Sequence, residues 1–241
     1  MSQRGKLTLI GAGPGDPELI TLKAVKELKK AEVVLYDALV NEEVLNHCPD
    51  NCERVFVGKK PGVHRNQQIE INELIVKYGQ SGKHVARLKG GDSYIFGRGH
   101  EEEVFALEHG MAVEVIPGIS SFYSVPELNR LPLTRRGLSE SFWVLTGTTK
   151  DLELAEDLTL AATSNSTVVV LMGMKKLPEI VQLFQEQKRS TTPIAIIQNG
   201  SLPSQKIGVG TIDTILTIVK EKALSSPAII VIGEVVKTIL A

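Results

Sequence analysis

The chain has 241 residues, 42% of them hydrophobic and 23% charged, which is ordinary usage for one large or two small globular domains and excludes wholesale disorder. Its 27 Lys and Arg against 28 Asp and Glu leave a formal net charge of -1, excluding nucleic-acid or anionic-membrane binding by bulk charge, so any anion recognition must be local. Two cysteines cannot build a disulfide framework, no apolar run approaches the ~20 residues of a membrane span, and the N-terminal apolar stretch is too short for a signal peptide; a soluble, cytoplasmic protein is expected.

Short apolar runs at residues 7–10, 33–36, 55–57, 85–88 and 113–116 are bounded by Gly, Pro, Asp or Lys. Near-continuous Val/Ile/Leu runs of this length predict strands buried on both faces of a mostly parallel sheet. Between them, Ile71, Leu74, Ile75 and Tyr78 fall on one helical face. A helix opening after Gly99 carries Glu101, Glu102 and Glu103 in its first turn, where negative charge is favourable, and stops near Gly110. Residues 128–140 hold Pro, Gly and Arg without periodicity and read as a linker. Further strands follow at 142–146, 168–172, 194–197 and 229–232, with helical stripes at Leu177, Ile180, Val181, Phe184 and at Ile212, Ile215, Leu216, Val219. Asn199-Gly200 followed by an alternation over 206–209 predicts an antiparallel strand, making the second sheet mixed. The expectation is two α/β domains, 1–134 and 135–241.

Three turns follow predicted strands: Gly11-Ala12-Gly13-Pro14-Gly15-Asp16, Lys89-Gly90-Gly91-Asp92 and Pro117-Gly118-Ile119-Ser120-Ser121. Ligands of open α/β sheets bind beyond the carboxyl ends of strands, so these turns are candidates to converge on one site. The first is not a dinucleotide fingerprint. Asp16 stands where the third glycine belongs, Pro14 has no N–H to offer, and a carboxylate is misplaced beside pyrophosphate. A cofactor without phosphates fits these turns better than NAD, and a tight turn with no ligand is the plain alternative.

Ten stretches in order, among them LIGAGPGDPELITLKA, VVLYDALV, VFVGKKPG, RLKGGDSYIFGRGHEE, VIPGIS, LPLTRRG, LMGMKKLPEI and NGSLPSQKIGVGTI, cover nearly the whole chain. Together they resemble the uroporphyrinogen-III C-methyltransferase family of the tetrapyrrole methylase superfamily. The resemblance implies two α/β domains with the active site in the cleft between them, a cytoplasmic homodimer, and S-adenosyl-L-methionine as cofactor with S-adenosyl-L-homocysteine as product. It implies two successive methylations of uroporphyrinogen III, an anionic tetrapyrrole, to precorrin-2 for sirohaem or cobalamin. A related precorrin methyltransferase and a non-catalytic tetrapyrrole- or cofactor-binding protein are the alternatives. Carried over by position, it implies cofactor contacts at Pro14, Gly90, Gly91, Asp92, Ile95, Ser120, Ser121, Met172 and Gly200, with Asp37 as proton acceptor and Lys59 as proton donor. The chain departs from the pattern at Ser93, usually Pro, and over residues 122–136. There, bulk and charge replace a small, Ala-rich segment where the substrate is expected.

Methyl transfer is a positioning problem, and once a pyrrole α-carbon has attacked, a proton must leave or shift to give the methylated product, which gives a carboxylate base a task. Asp37 after an apolar run suits that task, but Asp in this position is also a common N-cap, here of a helix over 39–45. Lys and Arg cluster at 54–65, at Arg87, Lys89 and Arg98, and at Arg130, Arg135 and Arg136; Arg65, Arg98, Arg130 and Arg135, with the ring of Tyr123, are the candidates to meet substrate carboxylates. Few aromatics and no stacking motif argue against RNA. Cys48 and Cys52 lack a second ligand pair, so no metal is expected.

Overall fold

The computed structural model describes residues 5–58 and 67–239. It divides into two compact units, Met1–Ser120 and Ser121–Ala241, each built on a five-stranded sheet.

In the first unit β1 (Lys6–Gly11), β2 (Val33–Tyr36), β3 (Glu53–Phe56), β4 (His84–Lys89) and β5 (Ala112–Ile116) form a sheet of order β3-β2-β4-β1-β5. Every pairing in it is parallel. Parallel strands are covered on both faces, and the residues sort by a period of two. Ile10, Val34, Ala86 and Leu88 pack with Ala24 and Leu28 of α1 (Leu22–Leu28) and with Val44 and Leu45 of a 3-10 helix, Glu42–His47. Leu7, Leu9, Val33, Leu35 and Val85 face the other way, onto Ile71 and Ile75 of α2 (Gln67–Gln80) and Ala106 of α3 (Gly99–Glu108). The predicted stripe on α2 therefore faces the core.

The second sheet contains β6 (Phe142–Thr146), β7 (Thr167–Leu171), β8 (Pro193–Gln198), β9 (Lys206–Thr211) and β10 (Ala228–Ile232) in the order β6-β7-β10-β8-β9. Only β6–β7 is parallel; β10 runs antiparallel to β7 and β8, and β8–β9 is an antiparallel hairpin. The mixed sheet is as expected. One face carries α5 (Asp157–Thr163), α6 (Leu177–Glu186) and α7 (Ile215–Glu221), with Leu177, Ile180, Val181 and Phe184 all buried against β7, β8 and β10. On the other face Val125 of α4 (Ser121–Leu128) and Leu131 pack on Val169, Ala195, Ile197 and Val231.

That packing corrects the expected boundary at 134/135. The seam falls after Ser120, because α4 and Leu131 belong to the core of the second sheet. Residues 128–140 have the composition of a linker, but Leu131 and Ser139 within them are buried. No helix among the described residues is long and apolar enough to cross a membrane.

Candidate active site

In the first sheet the connection from β1 leads to β2, beyond β4, while the connection from β4 leads to β5, beyond β1. The chain thus leaves the carboxyl ends of neighbouring strands in opposite directions, the arrangement that opens a ligand crevice. All three predicted turns meet here. Gly13 and Gly91 form an antiparallel bridge, with N–H groups donating to the partner's carbonyl at 3.2 and 2.7 Å. Asp92 fastens the third turn: its Oδ2 accepts from the Gly118 N–H at 3.0 Å, and its Oδ1 accepts from the Tyr94 N–H at 2.8 Å. A Cβ on Gly118 would lie 2.2 Å from the Gly91 carbonyl oxygen and 2.6 Å from the Gly11 backbone, so bare backbone at this position lets the turns close up. The loop after β2 joins them, as Asn41 Nδ2 donates to the Gly15 carbonyl at 2.9 Å.

These bonds use the N–H groups of Gly13 and Gly91, and Pro14 has none, so the first turn is not a phosphate cradle. Asp16 instead caps a 3-10 turn, accepting from Glu18. What the loops expose is apolar: Ile95 is 41% exposed, between Tyr94 and Phe96. Partial burial and the Glu103 carboxylate push the Tyr94 hydroxyl up to about 12, keeping it a donor to Glu103.

Asp37 follows β2 directly. It does not cap a helix; the 3-10 helix behind it is capped by Asn41. Its Oδ1 accepts from Arg87 Nη2 at 2.7 Å, and its Oδ2 lies 3.6 Å from Lys89 Nζ. The pleat explains the meeting. Leu35 pairs with Arg87 in register, so residues 33, 35, 37 on β2 and 85, 87, 89 on β4 share one face. On that face Glu102 of α3 accepts at Oε1 from Arg87 Nε (3.1 Å), Lys89 Nζ (2.9 Å) and Gln68 Nε2 (3.0 Å). Arg87, Lys89 and Glu102 are buried, whereas the Asp37 side chain keeps 28% exposure.

Several expectations change accordingly. Arg87 and Lys89 are buried partners of carboxylates rather than cations offered to a ligand. Glu102 is no surface charge at a helix start but a fully buried anion. Arg98 is exposed and donates two bonds to Glu101. Lys59 and Arg65 lie outside the described residues. Ser120 is buried at the end of the third turn. Cys48 and Cys52 are buried free thiols of the first core, the former pushed up to about 12 by burial. Among the described residues no group of three or more His, Cys, Asp or Glu is placed to hold a metal ion.

In the second unit Met172 follows β7 in the left-handed region (φ 55°), with its side chain 53% exposed and its carbonyl accepting from the Thr148 hydroxyl. Gly200 follows β8, where a Cβ would lie 2.2 Å from Val125 of α4. A groove of about 450 Å³ is lined by Tyr123, Glu127, Arg130, Leu133 and Phe142, among others. Arg135 is exposed, and its backbone pairs with Ser139.

The fold and site thus define an α/β protein with its strand-end loops tied together beside a carboxylate held by two cations. Residues 6–216 match the family model of Tetrapyrrole (Corrin/Porphyrin) Methylases. The chain is 43% identical over 237 residues to the uroporphyrinogen-III C-methyltransferase of Methanocaldococcus jannaschii, covering 98% of each. It is 40% identical to the siroheme synthase of Thiobacillus denitrificans, spanning 49% of that longer protein. Among solved structures it is similar to uroporphyrin-III C-methyltransferase from Thermus thermophilus complexed with S-adenosyl homocysteine, with a TM-score of 0.81 and 38% identity over 96% of this chain and 93% of that one. The chain belongs to the tetrapyrrole methylase family, and within it strongly resembles the uroporphyrinogen-III C-methyltransferases. Membership carries methyl transfer to tetrapyrroles as the class of activity.

Proposed function

We propose that this protein is an S-adenosyl-L-methionine-dependent C-methyltransferase that converts uroporphyrinogen III to precorrin-2 in two successive methylations. It works as a cytoplasmic homodimer serving sirohaem or cobalamin synthesis. The observation that carries the reading is the Asp37 carboxylate, held between Arg87 and Lys89 beside glycine turns that offer bare backbone but no phosphate cradle. The residues fit the cofactor: close-packed glycine backbone suits a nucleoside and amino-acid portion without phosphates. What supports the substrate is the likeness to the Methanocaldococcus enzyme over nearly its full length. What supports the cofactor is the S-adenosyl homocysteine in the Thermus structure.

When bound, S-adenosyl-L-methionine supplies an electrophilic methyl group. The chain's task is to place a ring carbon in line behind that methyl and to take up the proton that the tetrapyrrole releases from a neighbouring position once that carbon is methylated. Asp37 accepts that proton, and Lys59 serves as donor. Pro14, Gly90, Gly91, Asp92, Ile95, Ser120, Ser121, Met172 and Gly200 hold the cofactor. Arg65, Arg98, Arg130 and Arg135 meet the carboxylates of the tetrapyrrole, with Tyr123 against its ring.

Mass spectrometry of the product formed from uroporphyrinogen III and methyl-labelled cofactor tests this. Two labelled methyl groups per tetrapyrrole are expected. Calorimetry should show S-adenosyl-L-homocysteine binding and no NAD binding. Unlabelled substrate alone, or tight NAD binding without heat from the methyl donor, sinks the assignment.

A further inference from the structure

The buried cluster behind Asp37 goes beyond that assignment. Arg87 is 1% exposed, Lys89 4% and Glu102 0%. A buried ion cluster stabilises a fold no better than apolar packing of equal volume, because desolvation offsets the attraction. Its physical output is orientation. Glu102 Oε1 receives three donors, and two of them, Arg87 and Lys89, extend onward to the two separate oxygens of Asp37. Arg87 is fixed further by donating through Nη1 to the carbonyls of Leu35 and Leu88, at 3.3 and 3.2 Å. Its guanidinium therefore has one edge on Glu102, one on the β2 and β4 backbones and one on Asp37. Two carboxylates and two cations balance in charge.

We propose that Glu102 is a positioning residue for Asp37. From α3, without reaching the strand-end opening itself, it sets the placement of Arg87 and Lys89 and through them the direction of the Asp37 carboxylate. The proposal rests on Asp37 acting as the base. Loss of the Glu102 charge leaves two buried cations competing for one carboxylate, which then turns toward them and away from the ring carbon. Misplacement of a reacting group by about an ångström costs as much as a hundredfold in rate.

The test compares Glu102→Gln, Asp37→Asn and the double variant in the full chain, measuring kcat, KM for uroporphyrinogen III and S-adenosyl-L-homocysteine affinity. Glu102→Gln is expected to lower kcat roughly tenfold or more, with cofactor affinity and KM within about threefold of the parent. In the Asp37→Asn background the same substitution should have little further effect, since Glu102 acts through Asp37. If burying an extra positive charge prevents folding, Glu102→Gln with Lys89→Gln leaves the neutral Arg87–Asp37 pair and is assayed in the same cycle. Glu102→Gln at parental kcat overturns the proposal. So does a loss that multiplies in full on the Asp37→Asn background, which would make Glu102 a core brace acting independently of the carboxylate. Full turnover by Asp37→Asn alone would instead overturn the base assignment, and this proposal with it.

Discussion

The resemblance makes Asp92 a cofactor contact, yet both its oxygens already accept backbone N–H groups. Its work is to hold the turn after β5 to the loop after β4. Hydrogen bonds to a charged acceptor are each worth about 1.5–3 kcal/mol. Asp92→Ala is therefore expected to raise the Kd for S-adenosyl-L-homocysteine by roughly tenfold or more through loosened loops; an unchanged Kd in calorimetry would refute that role. Phe122 and Tyr123, which depart from the family pattern, part company in the structure. Phe122 is half-buried against the second core, while Tyr123 is 39% exposed on the groove with Arg130. Tyr123→Ala should shift KM for the tetrapyrrole or the ratio of mono- to dimethylated product and leave the melting temperature nearly unchanged. Phe122→Ala should do the reverse. A Tyr123→Ala protein of lowered melting temperature and parental product ratio would make both rings packing residues. Asp37 was legible as a candidate because polar residues after apolar strands stand out. The burial of Arg87, Lys89 and Glu102 is harder to read, because it follows only when the alternation 85, 87, 89 is extended past its apolar positions. A charge at an inward position of a buried strand was the available signal.

Among elements, runs of Val, Ile and Leu were sufficient for nine of the ten strands among the described residues, and Asn199-Gly200 with the alternation beyond it revealed the tenth as antiparallel. The stripe Leu177, Ile180, Val181, Phe184 survived because burial decides it, with Phe184 and Ile180 of α6 fully buried; the other survived only from Ile215, where α7 begins, Ile212 lying in the turn before it. Phe184→Ala should cost about 3–5 kcal/mol, read by denaturant unfolding of the second unit; a cost below about 1 kcal/mol would mean that the core closes over the gap. What the sequence hid was membership. Residues 121–131 pack on the second sheet through Val125 and Leu131, and no local composition announces which of two cores a short amphipathic helix will join. Gly118→Ala is expected to separate the turns after β1, β4 and β5, since its methyl meets backbone atoms that cannot rotate aside. Loss of cofactor affinity with little change in the melting temperature would be the signature, and unaltered affinity would count against the close approach.

For the molecule as a whole, an acid-sensitive ion cluster sits at the opposite end of the first sheet. Lys6 bridges Glu27 (3.0 Å) and Glu114 (2.8 Å), and Lys23 reaches Glu114 at 2.8 Å, joining β1, β5 and α1. Lys23, then Lys6, hold the Glu114 carboxyl down to about 2, and Lys30 with Lys6 lowers that of Glu27. Both folded values lie below the ordinary 4.5, so the unfolded chain binds more protons over this range. The stabilisation is complete above about pH 4.5 and is lost as pH falls toward about 2. Glu114→Gln should flatten the fall of stability across that window and leave its course above pH 5 unaltered. An unchanged acid slope would discharge Glu114 from this role.

The strand orders of the two sheets also set when each can begin to form. β1, an interior strand flanked by β4 and β5, pairs Lys6 with His84 and with Ala112, so it waits for most of its unit before it gains either neighbour. β8 and β9 meet across a short turn, from Gln198 to Lys206. Sheets that close long loops before gaining contacts fold slowly, and local hairpins fold fast. Pulse-labelled hydrogen exchange during refolding is therefore expected to protect the amides of β8 and β9 well before those of β1, leaving the apolar edge of β4 open to misassembly in the interval. Early protection of β1 would show that the N-terminal unit assembles by another route.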